Sequence, residues 1–300
     1  MAQTVRINRA RRPSLWATMR ELAGYRELIL EFARRAVLLR YKNSALGIVW
    51  SLATPLMMIL VITVMTKYIL NQRIPNYSAF IFPVMFAWAF FAATLGDMCA
   101  SLLEHVSLVR KCYFPRELLP LATMLANLFH LVVAMGLALG YLVLLRIFPH
   151  QVNWEVLLLV LIIPAQALVV LGLGMVVAAL NTLFEDIRFV VQVLLQLLFY
   201  CVPVLYPIER VAAAASHDFG VGWFDQLVRP HLLSLYLLNP FASVLVLYQK
   251  ALLPPIQNAG APALPFSWAL LGQLWVEALL IAWGGLWVFN ALKWKAVERV

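Results

Sequence analysis

Glu185 and Asp186 are the only adjacent carboxylates in the chain, so they are the first place to look for chemistry. Such a pair could hold a divalent cation in a metal-dependent transferase. It also suits the start of a helix, where the macrodipole favours an anion, and that role needs no further ligand. Nothing in the sequence completes a reaction centre around the pair. There is no G-x-x-x-x-G-K-[ST] phosphate loop. There is no H-E-x-x-H zinc helix and no G-x-S-x-G nucleophile elbow. Cys99, Cys112 and Cys201 lack metal-ligand or C-x-x-C spacing and read as small apolar packing residues. We therefore expect no catalytic residue, no metal site and no cofactor on this chain.

The other candidates are binding residues. Polar side chains interrupt otherwise apolar runs at Asp97, Asn127, His130, Gln166, Gln192, Gln196, Gln273 and Glu277. An ionisable group at membrane depth is expensive and turns toward protein or a water-filled path. Glu277, the deepest carboxylate, lines such a path or pairs with another helix; His130 reads as a hydrogen-bonded core residue. Phe86, Trp88, Tyr200 and Tyr206 have faces that stack on sugar rings, although aromatics also form the headgroup-level belt of membrane proteins. With Gln192, Gln196 and Glu277 they make the substrate-path candidates. A third group, His105, Arg110, Lys111, Tyr113, Phe114 and Arg116, mixes charges with aromatics. Apolar groups exposed within a charged loop suggest a docking surface, while the charges alone also fit topological dressing.

The elements that must carry these residues are membrane spans. The chain has 300 residues, 64% of them hydrophobic and 12% charged, which a soluble surface does not support. Apolar runs reach the ~20 residues a spanning helix needs, and the alternating segments of a β-barrel are absent. The expected fold is an all-α polytopic membrane protein. We read six transmembrane helices, near Ala45–Tyr68, Phe80–Leu103, Leu118–Phe148, Val156–Leu183, Phe189–Tyr206 and Trp268–Leu292. With the N-terminus inside, seventeen Lys and Arg fall in the cytoplasm and six outside, which obeys the positive-inside rule with both termini cytoplasmic. The net charge of +9 is then assigned to orientation and anionic lipid headgroups, with no nucleic acid involved.

Residues 1–44 form a cytoplasmic N-terminus, and 45–300 the transmembrane domain. Leu22, Tyr25, Ile29, Phe32, Ala36 and Leu39 recur at helical spacing and predict an amphipathic helix, with Glu31–Arg35 as an i,i+4 pair. Leu30, Val37 and Leu38 lie off that stripe. The helix is either a passive interfacial anchor or a surface for a partner. Residues 207–266 are read as an external or re-entrant region. Its two short helices break at Asn239-Pro240, since proline lacks the N–H and crowds the preceding turn. The flanks Ala212–Gly222 and Pro254–Pro265 read as loops.

Four segments in order carry a resemblance. They are Arg40 to Ser51 (RYKNSALGIVWS) with Pro55, Lys111 to Pro120 (KCYFPRELLP), Asn181 to Gln192 (NTLFEDIRFVVQ), and Pro203 to Pro207 (PVLYP) followed by Leu238-Asn239-Pro240. Together they resemble the ABC-2 type permeases of polysaccharide export, the membrane subunits of O-antigen, capsule and teichoic acid exporters. Many such permeases have Arg where Glu185 stands here, and Ser or Thr where Val202 stands. The resemblance implies a homodimer in the bacterial cytoplasmic (inner) membrane. It would be paired with two ATP-binding ABC subunits that hold ATP and Mg, and would move a lipid-linked polysaccharide. Coupling falls to Glu31, Arg34 and Arg35 and to the loop bearing His105, Arg110, Lys111, Tyr113, Phe114 and Arg116. Hinge or gate positions are Arg40, Gly47, Pro203, Pro207, Asn239 and Pro240. An ABC-2 exporter of a drug or lipid and a membrane-embedded glycosyltransferase are the alternatives.

Overall fold

The computed structural model describes residues 15–42, 49–70, 74, 76–111, 114–145, 154–215, 231–253 and 264–299. Among them every regular element is helical. Helices α1 (Leu15–Gly24) and α2 (Arg26–Tyr41) are separated by Tyr25, and α3 (Val49–Val64) ends in a π turn, Met65–Ile69. Next come α4 (Tyr77–Glu104), α5 (Val106–Lys111) and α6 (Leu118–Leu144). A 3-10 turn, Trp154–Leu158, leads into α7 (Leu159–Leu183), followed by α8 (Ile187–Cys201) and α9 (Ile208–Ala215). The last three are α10 (Leu232–Leu237), α11 (Pro240–Leu252) and α12 (Trp268–Arg299).

Among the described residues five helices are long and apolar enough to cross a membrane: α3 with its π turn, α4, α6, α7 with its 3-10 turn, and α12. The expected fifth span is α8, whose 15 residues reach only about 22 Å against a hydrocarbon core of roughly 30 Å. It stops at Cys201, short of the expected Tyr206. Val202 precedes Pro203 and is pushed out of the helical region to φ −108, ψ 158.

The bundle is built around α4. Of its apolar window 78% is buried, against 17% for α3, which lies at the edge. Asn76, immediately before α4, takes the left-handed conformation at φ 49, which a short amide side chain tolerates. Phe80, Phe82, Phe86, Phe90 and Phe91 are all buried. They pack inside the bundle. Phe82 stacks on Tyr141 at 4.5 Å and meets Phe86 edge-on at 5.3 Å, and Phe91 lies 4.5 Å from Phe241.

Helices α7 and α12 share the most extensive packing in the fold, because glycines let their backbones meet. A Cβ on Gly172 would strike the Ile281 carbonyl and come 2.7 Å from the Ala282 nitrogen; one on Gly285 would come 2.6 Å from the Gly172 Cα. Small residues at the crossing allow this approach where no hydrophobic force separates helix from lipid.

Asn239 and Pro240 do separate two helices. The Phe241 N–H donates to Asn239 Oδ1 at 3.0 Å, and Pro240 occupies the first turn, where its missing N–H costs nothing. Helix α11 then runs buried against α4, α7 and α12. Its Tyr248 hydroxyl donates to Gln166 Oε1 at 2.7 Å, and Gln166 Nε2 donates to the Ala87 carbonyl at 2.9 Å. This satisfied polar chain ties α11 to α7 and α4.

Three sequence readings need correction. Ala212 to Ala215 are helical, as the high helix propensity of alanine favours, and the rest of that expected loop lies outside the described residues. Cys201 is exposed; Cys99 is buried as expected, and Cys112 lies outside the described residues. The apolar stripe holds through Leu22 of α1, Tyr25, Ile29 and Phe32, which are buried or half-buried, but shifts in the second half of α2: Ala33 is buried and Val37 and Tyr41 half-buried, while Ala36 and Leu39 face outward. Leucines occupy more than one side of this helix, so periodicity alone did not set its phase. The last helix runs on beyond its apolar span, Trp268–Lys293, to Arg299.

Candidate functional site

The first assembly joins α2 to the chain on either side of α5. Phe32 meets the His105 ring edge-on at 6.2 Å and lies 6.3 Å from Phe114. His105 caps the end of α4, and its Nδ1 lies 2.9 Å from the Ser101 carbonyl. One aromatic side chain of α2 thus holds together the two ends of the basic loop. Beside it a groove of about 450 Å³ is lined by Leu28, Glu31, Phe32, Arg34, Arg35 and Leu38. Glu31 pairs with Arg34 at 3.6 Å, not with Arg35. Both partners are exposed, so the pair contributes little to stability and leaves the surface charged. Lys111 is exposed as well. The side chain of Arg110 and all of Tyr113 lie outside the described residues. Arg116 turns inward, and its Nη1 donates to the Lys293 carbonyl at 3.0 Å.

At the end of α2 a closed triad forms. Arg40 donates to Asp97 Oδ2 at 2.6 Å and to Asn127 Oδ1 at 2.8 Å, and Asn127 Nδ2 donates to the same Asp97 oxygen at 2.9 Å. One residue on, the Tyr41 hydroxyl lies 2.9 Å from His130 Nδ1. Arg40 therefore anchors the end of α2 on α4 and α6. Gly47 lies outside the described residues.

Between α3, α4 and α8 lies a cleft of about 420 Å³. Trp88, Gln196, Phe199 and Tyr200 line it with Pro55 and Met58. Trp88 meets Phe199 at 5.6 Å, and Phe199 meets Tyr200 at 5.3 Å, both edge-on. The Tyr206 hydroxyl donates to the Tyr200 carbonyl at 3.3 Å and lies 3.1 Å from the Tyr236 hydroxyl. Burial, and then the Tyr206 hydroxyl, push the Tyr236 phenol above its usual range, so it stays a neutral hydrogen-bonding group. Helix α8 buries only Val191. Gln192, Gln196 and Tyr200 are exposed at four-residue steps.

Two expected path residues are elsewhere. Phe86 is 3% exposed and borders a separate cavity of about 90 Å³ with Arg40, Asn127 and His130. Glu277 is on α12, where Gln273 Nε2 donates to its Oε1 at 2.7 Å and to the Leu237 carbonyl at 2.9 Å. Its partner is thus a residue of its own helix.

The proline positions are fixed from several sides. Gln249 Nε2 donates to the Pro203 carbonyl at 2.7 Å, and the Tyr77 hydroxyl donates to the Leu205 carbonyl at 3.0 Å. Glu209, next but one after Pro207, forms a buried ion pair with Lys250 of α11. The pairs Glu209–Lys250 and Glu117–Lys293 were missed from sequence. In sequence each acid stands beside an arginine, Arg116 or Arg210, so nothing local pointed to the distant lysine.

Glu185 and Asp186 are exposed at the start of α8, and Asp186 makes no side-chain cap. Among the described residues no His, Cys, Asp or Glu joins them in a group able to hold a metal ion. What the bundle does offer is a charged face on α2, an aromatic cleft between α3, α4 and α8, and a helix face with exposed amides. These are features of a membrane transport component. The family model described as "ABC-2 type transporter" matches residues 27–216, and the chain belongs to that family. It is a multi-pass membrane protein of that class. The O-antigen export system permease protein RfbA of Myxococcus xanthus is 29% identical over 231 residues, covering 77% of this chain and 82% of that protein. A protein of the same description from Klebsiella pneumoniae is 23% identical over 272 residues, covering 91% and 94%.

Proposed function

We propose that this chain is the channel-forming subunit of an ATP-driven exporter that carries a lipid-linked polysaccharide of the O-antigen, capsule or teichoic acid kind across the bacterial cytoplasmic membrane. It works as a homodimer with two ATP-binding subunits. The observation that carries the reading is the exposed Gln192–Gln196–Tyr200 face of α8 beside the Trp88–Phe199–Tyr200 cleft, in a chain similar to O-antigen export permeases. Exposed amides suit a second copy or a polar path better than lipid, and aromatic edges and faces suit a glycan. In this reading α8 is the fifth of six spans, shortened, and α9 to α11 form the external, re-entrant region. Both termini are cytoplasmic, and membrane lipids cover the remaining apolar faces. The partner subunits hold ATP and Mg, and their closure presses on α2 and the loop that Phe32 clamps.

The Tyr200→Ala, Tyr206→Ala double variant should lose most export while still assembling with its partners. Surface glycan at the normal level would remove the cleft from the path. Phe32→Ala unties α2 from His105 and Phe114, and should lower export about fivefold at unchanged membrane abundance, since a lost aromatic contact is worth roughly 1 kcal/mol. Deleting the gene tests the function itself. Surface polysaccharide should disappear while its lipid-linked form accumulates inside; unchanged surface glycan would overturn the assignment.

A further inference from the structure

The last helix, α12, is fastened at both ends to the two regions that a transport cycle has to connect. At its cytoplasmic end Lys293 Nζ lies 2.6 Å from Glu117 Oε1, with side-chain exposures of 12% and 1%. Arg116 also donates to the Lys293 carbonyl at 3.0 Å. Arg116 and Glu117 follow closely on Phe114, which packs on Phe32 of α2. The docking face is therefore tied to α12 by a charge-assisted contact and a main-chain contact. At its other end Gln273 Nε2 donates to the carbonyl of Leu237, the last residue of α10, and α12 packs on α11. Gln273 and Lys293 stand about 30 Å apart along a helix rising 1.5 Å per residue.

Between these ends lies the contact with α7. There Gly285 sits against Gly172 with the two backbones touching. Helix α12 contains no proline. The arms on either side of Gly285 measure roughly 12 Å toward Lys293 and 18 Å toward Gln273.

We propose that α12 is a lever pivoting on the Gly172–Gly285 crossing, and that Lys293 and Gln273 are the positioning residues that make the coupling loop and the α10–α11 helices move together. A shift of the loop moves the Lys293 end with it, and the longer arm carries the α10–α11 end the opposite way by about one and a half times as much. The role in export rests on the function proposed above; the mechanical link does not.

The test is hydrogen–deuterium exchange on the purified full chain in lipid nanodiscs, without any partner or nucleotide. Lys293→Met with Glu117→Gln removes the ion pair and leaves no bare charge. Amides of 232–252 should then exchange about fivefold or more faster, although they lie a helix length away. By reciprocity Gln273→Leu, which keeps the ion pair, should speed exchange in 114–121. Thr123→Val, which removes a hydrogen bond within α6, should change only α6. Effects confined to the neighbourhood of each substitution would overturn the lever. Failure to find a partner ATPase would overturn the function and leave this result standing.

Discussion

Gly172→Leu should abolish accumulation of the folded chain. The side chain has nowhere to go, because the obstacle is the Ile281–Ala282 backbone of α12 and not a side chain that can rotate away. Overpacking a core ordinarily costs about 1–3 kcal/mol where neighbours adjust. Here two helices must separate along the most extensive contact in the fold, so the cost lies at or above the top of that range. Gly172→Ala should retain fold but melt several degrees lower. Gly285→Ala should do the same, and combining the two should cost less than the sum, because both open one contact. Gly136→Ala is the control. A Cβ there meets nothing within 4 Å, and replacing glycine in a helix is worth up to about 1 kcal/mol in its favour. A normal melting temperature for Gly172→Leu in detergent would show that the crossing is looser than described.

Lys250→Met should be the most damaging single change of a charge. Glu209 is 1% exposed and Lys250 8%, and Glu209 Oε2 has no other partner among the described residues. Removing the lysine leaves a carboxylate in an apolar setting, at a cost of about 3–5 kcal/mol. The pair itself is worth far less than this, since desolvation offsets most of its attraction. Lys250→Met combined with Glu209→Gln should therefore recover most of the lost stability. Thermal unfolding of the three variants checks it. Equal and additive losses from both single changes would mean that the pair is solvated. The contact also matters for position, because it joins the segment after Pro207 to α11, which Gln249 and Tyr248 fix from the same helix.

Much of the helical framework could be read from the sequence, for physical reasons that also explain the misses. Apolar runs of spanning length have few alternatives to a helix, so the long helices were found within a few residues. Asn239-Pro240 marked its own break, because a proline without an N–H fits only a first turn. The phase of α2 was legible only in part: Ile29 and Phe32 turn inward as their spacing suggests, but Ala33 is buried and Leu39 exposed, and hydrophobicity does not distinguish lipid or partner from core. Phe80, Phe82, Phe86, Phe90 and Phe91 are buried because α3, α6, α7, α8 and α11 pack against α4, which sequence does not show, while Trp88 of the same helix lines the cleft. The charged contacts were hidden for a simpler reason. Glu117 and Lys293 are separated by 176 positions and Arg40 and Asp97 by 57, and no local pattern links such residues. Of the coupling candidates, the structure brings His105 and Phe114 together on Phe32, a residue the sequence placed only in the apolar stripe. It sends Arg116 to α12, so an inward structural contact had resembled a surface charge.

In the function proposed above, this chain works only as the membrane half of an ATP-driven pair. The most direct test is affinity purification of the full chain from its own membranes in mild detergent, followed by identification and counting of what accompanies it. An ATP-binding chain should come with it in equal number, and be released when the Glu31, Arg34 and Arg35 face is reversed in charge. A chain that purifies alone, at full glycan-exporting activity in vesicles lacking any ATPase, would contradict it.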